Sequence, residues 1–256
     1  MRSVAIINQK GGVGKTTTTV NLSACLAKLG LRILVVDLDS QANATAHLGI
    51  DIHRENPLSV YDLLAGNTTT EDLVTPSSLR GLDVIPSHIE LSGAEIELVN
   101  RVGRESILRN CLNGIQQRYD YIMVDCPPSL GLLTLNALVL VREIIIPVQT
   151  EFFALQGMAR LLETIDLVKR RLNPHLRITG VVACMYDSRT NLSKDVIDRI
   201  NRYFGDKLFT THIRQNVKLA EAPSFGQPIV LYAPRSYGAI DYANLAQELI
   251  ARVPSD

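Results

Sequence analysis

The stretch Asn8-Gln9-Lys10-Gly11-Gly12-Val13-Gly14-Lys15-Thr16-Thr17 constrains this chain more than any other. It follows a short apolar run at residues 4–7 and opens a helical segment read over residues 16–29. Strand, glycine loop and helix, in that order, are the context a phosphate cradle needs. Glycines let successive backbone N–H groups turn inward as an anion nest, and the helix N-terminus adds the positive end of its dipole. In such a loop Lys15 reaches the β- and γ-phosphates and the Thr16 hydroxyl ligates Mg²⁺. The usual spacing G-x-x-x-x-G-K-[ST] asks for glycine where this chain has Gln9; a second lysine, Lys10, heads the loop instead. The plain alternative is a glycine turn with no ligand.

The 256 residues, 46% hydrophobic and 20% charged, suit one large α/β domain. No Gly/Ser linker, charge block or repeat divides the chain, so residues 1–256 read as a single domain. Short, uninterrupted, β-branched runs at 4–7 and 33–36 have the pattern of strands buried on both faces. The helix between them carries Val20, Leu22, Ala24, Leu26, Ala27 and Leu29, with Gly30 as its stop. Further strands are expected at 84–85, 121–124, 143–148, 178–184, 207–213 and near 229–232. Helices are expected at 105–116, 132–140, 154–172, near 194–203 and at 240–252. Residues 51–80 read as surface loops around a short helix at 60–64. This alternation predicts an α/β fold: a doubly wound, mainly parallel sheet with helices on both faces and ligand at the strands' carboxyl ends.

The four cysteines (Cys25, Cys111, Cys126, Cys184) lack C-x-x-C spacing and are expected to pack as small apolar groups in a reducing cytoplasm. The first apolar run is broken by Asn8-Gln9-Lys10, so no signal peptide is read, and nothing approaches the ~18 apolar residues of a membrane span.

Two further stretches bring acids to the ends of expected strands. Asp37-Leu38-Asp39 could serve Mg²⁺ or a nucleophilic water, or be solvated loop acids. Tyr121-Ile122-Met123-Val124-Asp125-Cys126-Pro127-Pro128 is a buried strand ending in an acid, the Walker B arrangement in which Asp125 holds a Mg²⁺-bound water. The following Pro127-Pro128-Ser129-Leu130-Gly131 makes a rigid loop suited to sensing a nucleotide.

The double-lysine loop resembles the deviant Walker A motif of the ParA/MinD group of P-loop ATPases. Glu151-Phe152-Phe153-Ala154-Leu155-Gln156-Gly157, the run Met185 to Ser193 and the run Asn216 to Gly226 look like signatures of its ParA/Soj branch. The likeness covers residues 1 to about 245. It implies ATP and Mg²⁺ bound through Lys10, Gly11, Gly12, Val13, Gly14, Lys15, Thr16 and Thr17. It also implies that Lys10 reaches across a dimer to the other subunit's phosphates; by charge alone Lys10 could serve its own site. Residues 37–43 resemble the family's D-x-D-P-Q-G-N segment, with Ser40 for proline and Ala42 for glycine. The resemblance makes Asp39 the residue that orients the attacking water. Thr16, Asp39 and Asp125 then form the metal set, with Asp37 in support, and Lys10, Lys15 and Asp39 the catalytic set. Asn216 falls in a loop near the adenine in the family, preceded here by Arg214-Gln215 where many relatives have Pro-Arg.

Twenty-six basic residues balance 26 acidic ones, so any nucleic-acid surface must be a local patch. From Asp187 to Lys218 seven Lys/Arg stand against four Asp. A solvated helix face explains that excess too. The resemblance points instead to DNA phosphates, through Arg189, Lys194, Arg214 and Lys218. No recognition-helix pattern is evident, which implies binding without sequence preference. No helix-turn-helix extension is read ahead of the first strand.

The resemblance therefore implies a cytoplasmic, nucleoid-associated ATPase that partitions chromosome or plasmid DNA. It would dimerise with ATP, bind double-stranded DNA non-specifically, and release it on hydrolysis stimulated by a ParB-like partner. A membrane regulator like MinD would end in a basic amphipathic helix. Here residues 240–252 are expected to bury Ile240, Ala243, Ala246, Leu249, Ile250 and Val253, which reads as core docking and no membrane partner. An amidoligase or a nitrogenase-like reductase on the same scaffold is the other rival; the reductase needs a second cysteine near Cys126, and none follows at short spacing.

Overall fold

The structure, a computed structural model, describes residues 1–51, 57–151, 154–155 and 157–252. Its eight strands are β1 (Arg2–Ile6), β2 (Ile33–Asp37), β3 (Thr75–Pro76), β4 (Leu82–Ile85), β5 (Tyr121–Asp125), β6 (Glu143–Gln149), β7 (Arg177–Tyr186) and β8 (Ile213–Arg214). They form one sheet in the order β3-β4-β2-β5-β1-β6-β7-β8, parallel throughout except at β3–β4.

Strand pleating explains why this sheet is covered twice. Ala5, Leu34, Val36, Ile122 and Val124 point into one buried cluster, while Val4, Ile6, Ile33, Val35, Tyr121 and Met123 point into another. Runs apolar at every position bury both faces. Each fully buried Leu, Ile or Val contributes roughly 1.5–3 kcal/mol of transfer free energy. The helices in chain order are α1 (Lys15–Lys28), α2 (Asn43–His47), α3 (Val60–Ala65), α4 (Thr70–Leu73), α5 (Leu91–Leu98) and α6 (Ile107–Leu112). Then come α7 (Leu132–Leu140), α8 (Met158–Arg171), α9 (Asn191–Phe204), α10 (Val217–Glu221), α11 (Ile229–Tyr232) and α12 (Tyr237–Ala251). Leu98 of α5, Leu112 of α6, Leu133 of α7, Leu161 of α8 and Ile200 of α9 fill the first cluster. Leu22 and Leu26 of α1, with Tyr242, Leu245 and Leu249 of α12, fill the second. The doubly wound fold expected from the sequence is the one observed.

Several local expectations are corrected. Where a strand over 207–213 was expected, Leu208 makes a single parallel bridge to Val181 of β7 and Ile213–Arg214 forms β8. The amides of Thr210 and Thr211 donate instead to the Glu248 carboxylate, at 2.8 and 2.9 Å, so that side chain replaces a neighbouring strand. The expected strand near 229–232 is the helical turn α11: Pro228 precedes it, and the Ile229 amide is held 2.7 Å from Asn21 Oδ1 on α1. The helix expected over 105–116 is a 3₁₀ turn at Arg104–Ser106 followed by the shorter α6. Residues 51–80 contain α4 and β3 besides α3.

The last helix starts earlier than expected, where the Ser236 side chain accepts from the Ala239 amide. Its buried stripe is Ala239, Tyr242, Leu245, Ala246 and Leu249, and Asp241 is buried beside it. Ile240, Ala243 and Ile250 face outward, and Val253 lies outside the described residues. Among the described residues no helix is long and apolar enough to cross a membrane. Cys25, Cys126 and Cys184 are buried and Cys111 half-buried, all as free thiols.

Candidate active site

The carboxyl ends of β1, β2 and β5 lie side by side, with Ile6 and Asp37 both paired in register with Asp125. That alignment delivers the glycine loop and two buried acids to one edge of the sheet. Asn8 anchors the loop: its Nδ2 donates to the Pro147 carbonyl at 2.7 Å, and its Oδ1 accepts from the Lys10 amide at 3.0 Å. Gly12 and Gly14 adopt φ of 75° and 92°, left-handed values that disfavour any side chain. Val13 plugs the loop into the core at 1% exposure. Gly14 then caps α1, whose first-turn amides have no partners within the helix.

Lys15 is buried, and its Nζ donates to the Lys10 carbonyl at 3.1 Å. Burial lowers its pKa, against the opposing pull of Asp125 and Asp39. Asp125 is fully buried; Thr16 Oγ1 donates to its Oδ2 at 2.7 Å and Thr19 Oγ1 to its Oδ1 at 2.9 Å. Asp37, also fully buried, accepts from the Thr45 amide and hydroxyl and from the Asp39 amide. Burial raises the pKa of both acids, and the charge of Asp37 raises that of Asp125 further. Two buried carboxylates on adjacent strands call for positive charge nearby, which Lys15 and a divalent cation at Thr16 would supply.

Asp39 is half-buried, its Oδ1 accepting from the Gln41 amide at 3.0 Å. It lines a cavity of about 250 Å³ together with Gly11, Gly12, Gly14, Lys15, Thr16 and Thr17. A second cavity, of about 310 Å³, shares Gly14, Thr17 and Met185 with the first and continues to Asn216 and Tyr242. Asn216 caps α10, its Oδ1 accepting from the Lys218 amide at 2.8 Å. A polar recess that passes into a recess bounded by Ile213, Val217 and Leu219 matches phosphates followed by a base.

Among the described residues no group of three or more His, Cys, Asp or Glu could hold a metal alone. A nucleotide-bound Mg²⁺ takes most of its ligands from phosphate and water oxygens and few from the protein. The donor set of Thr16, Asp125 and Asp39 fits such an ion.

Lys10 does not line the phosphate cavity. Its Nζ lies 3.1 Å from Glu151 Oε2, two residues past β6. Phe152, Phe153 and Gln156 of that signature stretch lie outside the described residues.

Of the four expected DNA contacts, Arg189 and Arg214 line one surface recess of about 430 Å³ with Tyr237, while Lys194 and Lys218 lie beyond it. Arg189 is exposed and pairs with Asp187 at 2.8 Å, holding that carboxyl down at about 2. Lys194 is exposed in the first turn of α9. Lys218 pairs with Glu221 at 2.8 Å. Arg214 is tied to Asp241 and lies over the Tyr237 ring at 4.2 Å, which gives it a structural task.

Sequence reasoning missed Thr19, Thr45 and Met185. Thr19 follows Thr16 by one helical turn, a spacing that does predict a shared face. Thr45 gives no local signal, and Met185 reads only as the head of a family signature run, not as a residue lining the site. Met185 takes φ of 54° where β7 ends between the two cavities, a conformation no pattern of apolar residues announces.

A family model described as an AAA domain matches residues 1–178. The chain is 52% identical to the sporulation initiation inhibitor protein Soj of Bacillus subtilis over 97% of this chain and 98% of that protein. It is 46% identical to the chromosome partitioning protein ParA of Myxococcus xanthus, over 98% and 88%. Among solved structures it superposes on a cobyrinic acid a,c-diamide synthase of Mycobacterium smegmatis with bound ADP and magnesium at TM-score 0.86 and 35% identity, covering 98% and 94%. It matches the cell division ATPase MinD of Pyrococcus furiosus at TM-score 0.78 and 26% identity, covering 98% and 99%. Identity along nearly the whole length of the Soj and ParA relatives, on a fold of this kind, settles the family: the chain belongs to the ParA/Soj chromosome-partitioning ATPases.

Proposed function

We propose that this chain is an ATP-gated DNA-binding switch for partitioning chromosome or plasmid DNA, working in the cytoplasm on the nucleoid as one domain. ATP with Mg²⁺ binds at Gly11–Thr17 with its base towards Asn216, and two copies close face to face. The closed dimer binds double-stranded DNA without sequence preference. Hydrolysis, slow alone and stimulated by a ParB-like partner, releases it.

The observation that carries this reading is the position of Lys10. It heads the phosphate loop, yet its ammonium lies outside its own phosphate cavity, on Glu151. A lysine so placed is available to a facing copy. The amide synthase rival has support from the name of three solved structures of the Mycobacterium smegmatis synthase, but the Soj and ParA relatives match at higher identity over nearly the same share of the chain.

In hydrolysis the backbone nest and Lys15 neutralise the β- and γ-phosphate oxygens. A Mg²⁺ ion, which Thr16, Asp39 and Asp125 would hold, would supply positive charge against the charge developing on the phosphate. Thr16 Oγ1 donates to Asp125, which would leave its hydroxyl oxygen free to face that ion. Asp39 orients the attacking water from the edge of the cavity. Phosphoryl transfer asks little more than positioning and charge stabilisation, so intrinsic turnover is slow.

Sedimentation velocity with ATP, on Lys10→Ala and Asp39→Ala, tests the cycle at opposite ends. Lys10→Ala is expected to bind ATP but remain monomeric; Asp39→Ala is expected to form a dimer that persists. A Lys10→Ala chain that dimerises normally, or an Asp39→Ala chain that hydrolyses ATP normally, contradicts the mechanism.

A further inference from the structure

Glu151 stands two residues beyond β6, outside the phosphate loop and outside the acids that face it. Its contact with Lys10 is built from both sides. On the lysine side, Asn8 pins the Lys10 backbone amide at 3.0 Å and is itself fixed to the Pro147 carbonyl. The loop head therefore stays in place while the four-carbon Lys10 side chain remains free to swing. On the acid side, Gln149 Nε2 donates to Glu151 Oε1, which leaves Oε2 for Lys10 Nζ at 3.1 Å. The two lysine side chains of the loop thus both rest on acceptors of the same subunit: Lys15 on the Lys10 carbonyl and Lys10 on Glu151.

We propose that Glu151 is a positioning residue that holds Lys10 on its own subunit and so sets the threshold at which two ATP-bound copies close. The inference rests on the reading that Lys10 acts across the dimer. Closure moves each Lys10 ammonium from one carboxylate to a triphosphate carried by the facing copy. The side chains are 36% and 54% exposed, so the pair is solvated and weak. A polyanion of three to four charges outcompetes it, whereas ADP, lacking the γ-phosphate, offers less. The contact therefore does not block closure; it raises the concentration of ATP-bound chain at which closure occurs. Exposed ion pairs of this kind shift an equilibrium by about two-fold each, and two are broken per dimer, giving about three- to five-fold overall.

The test is dimerisation with a non-hydrolysable ATP analogue and Mg²⁺, measured by sedimentation velocity on wild type, Glu151→Gln, Glu151→Asp, Lys10→Ala and the double variant Lys10→Ala/Glu151→Gln. Glu151→Gln should lower the dimer dissociation constant about three- to five-fold at low salt. Its ADP affinity should match wild type, which reports an intact phosphate loop. Glu151→Asp, which keeps the charge, should move back towards wild type. The gain should fade as salt rises, because screening weakens the wild-type pair as well. The double variant should be as monomeric as Lys10→Ala, since nothing remains for Glu151 to hold. A wild type that dimerises while Glu151→Gln dimerises no better, or worse, overturns this inference alone. A wild type that stays monomeric with the analogue overturns the reading of Lys10 and this inference with it.

Discussion

Arg214 grips Asp241 by backbone and side chain together. Its amide lies 3.0 Å from Oδ2, its Nε lies 3.0 and 3.1 Å from the two carboxylate oxygens, and its Nη2 lies 2.5 Å from Oδ1. The grip ties β8, the short edge strand, to α12, the helix that packs on the nucleotide helix α1. Arg214 is partly solvated, but Asp241 is not, with 6% of its side chain exposed. Breaking a pair strands the buried partner, and that loss dominates.

Arg214→Ala should therefore destabilise the fold by about 2 kcal/mol, less than breaking a fully buried pair costs because the guanidinium keeps some water. For a chain of this size that lowers Tm by roughly 4–8 °C. Arg189→Ala and Lys218→Ala should leave Tm unchanged while each reduces the slope of log K for DNA against log salt by ~0.9. Thermal melts paired with DNA titrations at several salt concentrations separate the structural arginine from the phosphate contacts.

His47 gives the fold a pH dependence of known sign. It is buried at the end of α2, its Nε2 has no partner, and burial lowers its pKa to about 4 against a hydrogen bond to the Gln227 backbone. The unfolded chain takes up that proton near pH 6.5 and the folded chain near pH 4, so stability falls as pH drops through this window. The loss reaches ~2 kcal/mol by pH 5. His47→Gln should cost stability at pH 7 and recover about that much relative to wild type at pH 5. Denaturant melts at both pH values check it.

The buried acids predict the opposite trade between stability and activity. Asp37 and Asp125 are both desolvated, and the charge of Asp37 adds to the effect on Asp125, so their pKa values lie above the unfolded ones. Asp125→Asn removes the penalty of burying an acid there and should stabilise the ligand-free chain by about 1 kcal/mol at pH 7. Raised carboxyls take up protons in the folded state first, so wild type gains stability as pH falls and the variant's advantage shrinks. The same change should abolish Mg²⁺-dependent ATP hydrolysis. Melts across pH 5–8 and a phosphate-release assay measure both halves.

Much of this architecture is legible in the sequence because parallel strands buried twice leave uninterrupted apolar runs, as at Ile33-Leu34-Val35-Val36. The phosphate loop is equally plain, since Gly12 and Gly14 occupy positions only glycine takes readily. What the sequence hides is set by partners far along the chain. Glu248 removes Thr210 and Thr211 from the sheet, and Asp241 turns α12 so that Ile240 faces water. Lys10 and Glu151 are 141 residues apart, and no spacing joins them.

Ala42 is a departure visible in both. It stands where the resembling motif has glycine, and its φ is 51°, between Asp39 and the start of α2. A left-handed alanine costs about 1–2 kcal/mol, part of which glycine returns through the freer unfolded chain. Ala42→Gly should thus stabilise the chain by about 0.5–1 kcal/mol and leave ATP affinity intact. Thermal melts with ATP titration check both.

The measurement that tests the central claim most directly is DNA binding by wild type at one salt concentration with a non-hydrolysable ATP analogue and Mg²⁺, with ADP and Mg²⁺, and with no nucleotide. One subunit offers few phosphate contacts, so alone it should bind only at about 10⁻⁴ M or more weakly. On the proposed reading, two subunits held together would present both patches at once, raising avidity by ~10²–10⁴ without any new contact. Tight binding with the analogue alone is the predicted result. Equal DNA affinity in all three states would contradict the account.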